Sequence, residues 1–283
     1  MRLLIAIPVY NELKYVQQVI HKVRQYHDDI LLVDDGSTDG TGEFLNDLRD
    51  SEDIQLIRHA RNSGYGQSLI DAFHHADRHG YDWVITMDCD EQHEPEMIPE
   101  FKRYIEADQW DVISGSRYMN PRGDDDLPPQ DRRQINVQIT GLLNALFDFT
   151  LTDSFCGFKA HRVSAMRKLH LTETGYAFPL QLWPQIARER LRLKEIPVRL
   201  IYNDPNRYFG GDLDVARNRL KHYLNVLNGE LQTPTTVDKN GRQRGGVATI
   251  DPHPAHTAPD TVPATRSALP GNRRVPCSCA GHD

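Results

Sequence analysis

The first half of the chain alternates short, uninterrupted apolar runs with longer segments whose apolar residues recur on one helical face, and this alternation limits the possible folds. Apolar runs at residues 3–7, 30–33, 54–57, 83–87 and 112–114 predict strands that are buried on both faces. Repeated strand–helix units are typical of a parallel sheet with right-handed crossovers. We therefore predict an α/β fold in which helices flank a mostly parallel central sheet.

The remaining elements and the end of the domain follow from the same patterns. We expect helices over residues 12–25, 67–79, 135–149, 178–190 and 212–231, with further helices after Asp39 and from Pro95, a strand over 196–201 and a loop over 120–130. After residue 232, Thr, Pro, Gly, His and Arg dominate and no periodicity remains. Such a segment buries too little apolar surface to offset its ordering entropy. Residues 1–232 are therefore predicted to form one domain, and residues 233–283 a disordered tail.

Charge and composition exclude some classes of protein. The 283 residues carry a formal net charge of −7, which argues against broad nucleic-acid binding. No run approaches the roughly 18 apolar residues of a membrane span, and the apolar start lacks a signal-type leader. The four cysteines do not indicate a disulfide framework, and Cys277 and Cys279 have too few neighbouring ligands for a metal site. We expect a cytoplasmic protein, whose basic amphipathic segment 212–231 either packs on the domain or makes peripheral contact with an anionic membrane.

Two polar segments follow the first two predicted strands, where a doubly wound sheet places its ligands. The first, residues 8–12, reads Pro-Val-Tyr-Asn-Glu and lacks the glycine-rich turn of a dinucleotide-binding dehydrogenase. A helix cap at Asn11 is the alternative explanation for it. The second, residues 33–41, carries adjacent acids at Asp34 and Asp35, which helix capping does not explain. Asp35 is a candidate acceptor of hydrogen bonds from a base or a ribose.

An acidic segment follows the apolar run at residues 83–87. Asp88 and Asp90 are two residues apart and Gln92 follows, so their oxygens can face one pocket where the strand ends. Two carboxylates and an amide oxygen suit Mg²⁺ or Mn²⁺, with a diphosphate completing the coordination. A solvated acidic turn is the alternative, but the buried run just before it favours the metal site.

Several arginines on predicted loops are candidates for binding phosphate, because guanidinium groups match phosphate oxygens. They are Arg61, Arg117, Arg132, Arg133 and Arg207. Each alone is more often a solvated surface residue. Arg117, which ends the fifth predicted strand, is the best placed.

Together these segments resemble the family-two glycosyltransferases of the GT-A fold, and most closely the dolichol-phosphate mannosyltransferase-like branch, which includes polyprenyl-phosphate glycosyltransferases. The matching segments are residues 8–12, 33–41, 61–66, 87–93, 115–118, 132–133, 153–159 and 207–210, about three quarters of the chain from first to last. Each motif is weak alone, whereas their order and spacing together are specific.

The resemblance implies a GT-A nucleotide-diphospho-sugar transferase fold and a metal-dependent, inverting transfer from a nucleotide-sugar donor. The residues that it places in the nucleoside pocket are Pro8, Tyr10, Glu12 and Asp35. Asp88, Asp90 and Gln92 would hold Mg²⁺ or Mn²⁺ and the donor diphosphate. Arg117, Arg132 and Arg207 would meet phosphates of the donor or the acceptor.

The acceptor is the least determined part of this resemblance. A polyprenyl phosphate is already anionic and needs little base assistance, whereas a hydroxyl acceptor would need a general base, for which Asp153 is the candidate. The chain has Gln181 where relatives often have Glu, and Gly211-Asp212 where many have Ser-Lys. Two alternatives therefore stay open: a transferase onto a soluble hydroxyl, and a nucleotide-sugar-binding module without turnover.

Overall fold

The computed structural model describes residues 1–51, 54–121, 123, 125–202 and 209–232. The strands are β1 (Leu3–Val9), β2 (Ile30–Asp34), β3 (Gln55–Arg58), β4 (Trp83–Thr86), β5 (Val112–Ser116), β6 (Lys159–Arg162) and β7 (Leu193–Pro197). The helices are α1 (Val16–Arg24), α2 (Thr41–Ser51), α3 (Tyr65–Arg78), α4 (Ile98–Glu106), α5 (Gln130–Phe147), α6 (Val163–Met166), α7 (Phe178–Arg188) and α8 (Ala216–Gln232). Short 3₁₀ turns at Pro95–Met97 and Gly211–Asp214 precede α4 and α8.

The strands form one seven-stranded sheet in the order β3-β2-β1-β4-β6-β5-β7. Every pairing is parallel except those of β6, which runs antiparallel to both β4 and β5. The carboxyl ends of β1, β2, β4 and β5 therefore meet at the same edge of the sheet. Ligands of open α/β sheets bind outside this edge, so the topology already indicates where to look for the site.

Both faces of the sheet are covered by helices, which explains the uninterrupted apolar runs. On one face, Leu4 and Ala6 of β1 pack with residues of α3, α5, α7 and α8. On the other face, Ile5 and Ile7 pack with residues of α1, α2 and α4. Because successive strand residues point to opposite faces, a strand between two helical layers needs an apolar residue at nearly every position.

The structure confirms the predicted α/β class and the first five strands, and it corrects the second half. The strand expected over residues 196–201 is β7, which begins at Leu193 and ends at Pro197. Strand β6 was not expected, because its sequence Lys-Ala-His-Arg has no apolar run. Lys159 and His161 are nevertheless buried. A hydropathy pattern treats polar residues as exposed, so it does not predict a strand whose buried residues are polar.

Helix α8 packs on the domain, which is one of the two alternatives that the sequence allowed for residues 212–231. Tyr223 and Leu227 are buried in the core beside α7. Arg219, counted in the sequence as part of a basic face, is also buried and reaches Asp131 of α5. Within the described segments of the chain, no helix combines the length and apolar character needed to cross a membrane. The predicted disordered tail, residues 233–283, lies outside the described residues.

Candidate active site

A pocket of about 380 Å³ lies at the carboxyl edge of the sheet and contains most of the residues singled out in the sequence. The predicted site residues that line it are Pro8, Tyr10, Glu12, Asp35, Asp88, Asp90, Gln92, Arg117 and Arg132. Asp153 lies behind Arg117 and is fully buried. Arg61 and Arg133 do not line the pocket, and Arg207 lies outside the described residues. Four separate loops and the start of α5 therefore converge on one cavity.

Asp34 and Asp35, adjacent in sequence, have different partners. Asp34 ends β2, pairs with Arg58 at 3.0 Å and caps the following turn through the Ser37 N–H. Asp35 is 4% exposed, and its carboxylate accepts hydrogen bonds from the backbone N–H groups of Ser63 at 2.7 Å and Gly64 at 2.8 Å. Only Asp35 lines the pocket. Asp34 therefore has a structural role, and Asp35 is the candidate for binding a ligand in the pocket.

The loop after β1 is tied to the loop after β2, and this tie forms one wall of the pocket. Asn11 accepts a hydrogen bond from the Thr38 N–H at 2.8 Å, and the Glu12 N–H donates to the Thr41 hydroxyl at 3.1 Å. Asn11 adopts a left-handed backbone conformation with φ of 56°. Because α1 begins only at Val16, Asn11 does not cap that helix. The polar residues of this segment are explained by loop–loop contacts instead.

Asp88 is oriented by three neighbours that the sequence patterns did not single out for this role. The Tyr65 hydroxyl donates to its carboxylate at 3.0 Å, and the Asp88 N–H donates to Nδ1 of His93 at 2.9 Å. Burial lowers the pKa of His93 to about 4, so the ring is neutral near pH 7. At Gly157, a β-carbon would lie 2.7 Å from the Asp88 carboxylate. The glycine therefore leaves the space in which that carboxylate sits.

The acidic pair fits a divalent cation only in part. Asp88 and Asp90 both line the pocket and offer hard oxygen atoms. Among the described residues no cluster of three or more acids, histidines or cysteines could hold a metal by itself. Among the same described residues, the side-chain nitrogen of Gln92 is buried and has no hydrogen-bond partner. A buried donor of this kind suits a bound ligand that accepts its hydrogen bond. These residues suit an ion whose remaining ligands come from a bound phosphate or from water.

Arg117 is held by Asp153 in a bidentate ion pair, with Nε–Oδ2 and Nη2–Oδ1 distances of 2.6 and 3.0 Å. Asn136 donates a further hydrogen bond to Asp153 at 2.8 Å. Burial alone would raise the pKa of Asp153, but the charge and hydrogen bonds of Arg117, with that of Asn136, lower it to about 2. A fully buried carboxylate with so low a pKa is a poor general base. In this geometry Asp153 holds Arg117 in place, and its role as a general base stays a prediction.

The wall formed by α5 and α8 combines arginines with aromatic rings. The Phe209 ring lies between the guanidinium groups of Arg132 and Arg219, 4.5 and 4.6 Å from its centroid. Tyr176 meets Phe209 edge-on at 5.2 Å. The sequence placed Arg219 on the basic face of its helix and did not assign it to the site, whereas the structure places it in the lining of the pocket. This wall presents two cations and an apolar surface to the same cavity.

The sequence model of glycosyl transferase family 2 matches residues 4–169, which is more than half of the chain. The chain belongs to glycosyl transferase family 2. This glycosyltransferase is 31% identical over 209 residues to the undecaprenyl-phosphate mannosyltransferase of Micrococcus luteus, covering 71% of this chain and 84% of that protein. It is 29% identical over 206 residues to the polyprenol monophosphomannose synthase of Mycolicibacterium smegmatis, covering 70% and 76% of the two chains. Both relatives agree with the branch that the sequence motifs resemble.

A solved structure confirms the fold of the glycosyltransferase. Glucosyl-3-phosphoglycerate synthase of Mycobacterium tuberculosis, in a complex with Mn²⁺, uridine diphosphate and glucosyl-3-phosphoglycerate, superposes with a TM-score of 0.61. The match covers 83% of this chain and 82% of that chain, at 16% sequence identity. Together with the mostly parallel sheet, it confirms the predicted GT-A fold.

Proposed function

We propose that the pocket binds a nucleotide-diphosphate sugar together with Mg²⁺ or Mn²⁺ and transfers the sugar, with inversion, to a phosphate-bearing lipid acceptor. The proposal rests on three features that line one cavity. They are the acidic pair Asp88 and Asp90, the buried acid Asp35, and the arginines Arg132 and Arg219 with their neighbouring aromatic rings. The acidic pair and Asp35 suit the diphosphate, with its metal ion, and the nucleoside of a nucleotide sugar. The arginines suit an anionic acceptor.

The nucleoside is proposed to lie against Pro8, Tyr10, Glu12 and Asp35. The buried Asp35 carboxylate offers a hydrogen-bond acceptor to the base or the ribose. The diphosphate then extends towards Asp88 and Asp90, where Gln92 has an unsatisfied side-chain nitrogen that can donate to a phosphate oxygen. Named relatives and one fold neighbour act on polyprenyl phosphates or contain uridine diphosphate, which supports this class of substrates.

Asp88 and Asp90 would hold the divalent ion, whose chemistry is to neutralise the charge that develops on the leaving diphosphate. Arg117 lines the same cavity and is fixed by Asp153. In the transfer, an acceptor oxygen forms a bond to the anomeric carbon while the bond from that carbon to the donor phosphate breaks. The leaving nucleoside diphosphate keeps the bonding electron pair. Direct displacement of this kind inverts the anomeric configuration.

A phosphate acceptor explains why the pocket needs no separate base. Of the described lining residues, the acids are Glu12, Asp35, Asp88 and Asp90, all at the proposed nucleotide and metal end. The opposite wall carries Arg132 and aromatic rings, which suit an anionic group joined to an apolar chain. The names of the relatives in Micrococcus and Mycolicibacterium support a polyprenyl phosphate in this position.

Access to a lipid phosphate implies contact with a membrane surface near the pocket. Leu127, which precedes the pocket-lining Pro128, is 90% exposed, and Val215, just before α8, is 54% exposed. Arg217 and Lys221 are exposed on α8. We propose peripheral contact through this region. Flotation with anionic liposomes tests it, and a protein that stays entirely in the unbound fraction would contradict it.

The activity test compares a polyprenyl phosphate with neutral sugar acceptors. The proposal predicts release of nucleoside diphosphate, not pyrophosphate, that depends on the lipid phosphate. Arg132→Ala should lower that rate about 100-fold, a few kcal/mol of lost transition-state stabilisation, while donor binding changes much less. Faster transfer to a neutral hydroxyl that is indifferent to Arg132 would support the soluble-acceptor alternative. Binding of donor without any turnover would support a nucleotide-sugar-binding module.

A further inference from the structure

His59 lies between two carboxylates, one of which faces the nucleotide pocket. Its Nδ1 atom is 2.7 Å from Oδ1 of Asp35, and its Nε2 atom is 2.9 Å from Oδ2 of Asp71 on α3. The ring is 12% exposed, and its backbone N–H is fixed on the Asp34 carbonyl at 2.8 Å. None of the motifs that indicated the family includes this residue.

The arrangement requires one proton more than a neutral histidine supplies. A neutral imidazole has one N–H donor and one lone pair, whereas ionised carboxylates only accept hydrogen bonds. With carboxylate oxygens within hydrogen-bond distance of both ring nitrogens, a neutral ring would set a lone pair against one of them. An additional proton on the bridge removes that conflict and joins the two carboxylates through the ring.

The same bridge determines how Asp35 faces the pocket. Oδ1 accepts from His59 and from the Ser63 N–H, and Oδ2 accepts from the Gly64 N–H. A carboxylate offers about four lone-pair positions, so these bonds leave roughly one, on Oδ2, for a ligand. Gly36 lets the loop approach closely, since a β-carbon there would lie 2.5 Å from the Arg61 carbonyl carbon.

We propose that His59 is a positioning residue for the donor nucleotide, which bridges Asp35 and Asp71 and fixes the direction of the lone pair that Asp35 presents to the nucleoside. This inference rests on the proposed function, because it assigns Asp35 to the donor. Asp71 completes the bridge without lining the pocket, and Gln67 orients it through a hydrogen bond of 3.1 Å.

The bridge joins separate elements of the fold. Asp35 follows β2, Asp71 lies on α3, and the neighbouring Arg58 of β3 is paired with Asp34 and Glu43. Loss of the His59 ring breaks the bridge and frees the Asp35 carboxylate to rotate. Donor binding should therefore weaken, and the rate constant of transfer should change little.

Titration calorimetry of uridine and guanosine diphosphates with Mn²⁺ tests the inference. His59→Gln should weaken binding roughly tenfold, the effect of losing one charge-assisted hydrogen bond. His21→Gln, the same change at an exposed position on α1, should behave as wild type.

Asp71→Asn separates the bridge from a general effect on folding. An asparagine amide can donate to one ring nitrogen of His59 while the other donates to Asp35, so the bridge is kept. This variant should keep nearly wild-type affinity. Turnover should show a raised KM in His59→Gln and an unchanged KM in Asp71→Asn, with kcat within about twofold in both. Equal affinity of His59→Gln and wild type, or a tenfold loss of affinity in Asp71→Asn, would overturn the inference. Failure of the wild-type protein to bind either nucleotide would instead overturn the proposed function, and this inference with it.

Discussion

At the scale of single residues, the site consists of side chains that face the pocket and buried side chains that hold them in place. Asp35 is oriented by His59, Asp88 by Tyr65 and His93, and Arg117 by Asp153. The sequence motifs identified most of the facing residues because they directly follow buried strands. The supporting residues lie far along the chain from those they hold, so only the fold brings the two sets together.

The Asp153–Arg117 pair provides the sharpest test of this division. Asp153→Asn should abolish most of the transfer and also lower the free energy of unfolding by about 1–3 kcal/mol, because it leaves Arg117, whose side chain is 21% exposed, without its counter-ion. Urea denaturation and the rate of nucleoside diphosphate release measure the two effects. Asp108→Asn breaks a pair with Arg162 whose acid is 76% exposed, and should cost about 0–1 kcal/mol. An unchanged free energy of unfolding in Asp153→Asn would contradict the positioning role of Asp153.

At the scale of secondary structure, strands with apolar residues in the sequence were predictable, and β6 was not. Strands β1, β2 and β4 are buried along almost their whole length between helical layers, so their sequences are apolar. Strand β3, expected to be buried on both faces, is only partly buried and ends at the exposed Arg58. Strand β6 carries the buried Lys159 and His161, and β7, which begins before the expected position, carries the buried Glu195. Hydropathy reads such polar residues as exposed, so it does not predict a strand there.

Glu195 of β7 links the sheet to the loop that carries Asp153. Its carboxylate accepts hydrogen bonds from the Thr152 N–H at 2.8 Å, the Thr152 hydroxyl at 3.0 Å and the Asp153 N–H at 3.1 Å. Burial raises the pKa of Glu195 to about 7, and these hydrogen bonds only partly offset that effect. A carboxyl group that gives up its proton less readily in the folded state costs stability as the pH rises.

This raised pKa predicts a pH-dependent stability. The folded protein retains the Glu195 proton up to about pH 7, whereas the unfolded chain loses it near the ordinary glutamate pKa of 4.5. The contribution of Glu195 to stability is thus complete below about pH 4.5 and declines as pH rises to about 7. Glu195→Gln stays neutral, so its stability relative to wild type should increase over that range by on the order of 1–3 kcal/mol. Denaturation curves across this range measure the difference, and parallel curves would contradict the raised pKa.

At the scale of the whole molecule, the described pocket is assembled from segments between Pro8 and Tyr223. The early strands supply the nucleotide and metal side, and α5 and α8 supply the arginine and aromatic side. The sequence predicted the first side from local motifs, but it could not place α8 over the cavity, because that contact depends on packing between distant helices. Residues 1–232 therefore contain all of the described site.

Removal of residues 233–283 should leave nucleotide binding and the melting temperature nearly unchanged, because this segment has few apolar residues with which to form a core. Calorimetric binding and thermal denaturation of the shortened and full-length chains compare the two directly. A marked loss of either quantity in the shortened chain would show that the predicted boundary at residue 232 is wrong.

The central claim is that this pocket binds a nucleotide sugar through a divalent ion held by Asp88 and Asp90, and the melting temperature with a panel of nucleotide sugars tests it most directly. A ligand specific for the folded state at about 100 times its Kd adds about 2.7 kcal/mol of stability, which raises the melting temperature by several degrees. The account predicts such a rise for at least one nucleotide sugar with Mn²⁺ or Mg²⁺, and its loss on adding EDTA or in Asp90→Asn. No rise with any member of the panel, or a rise that persists without metal and in Asp90→Asn, would contradict it.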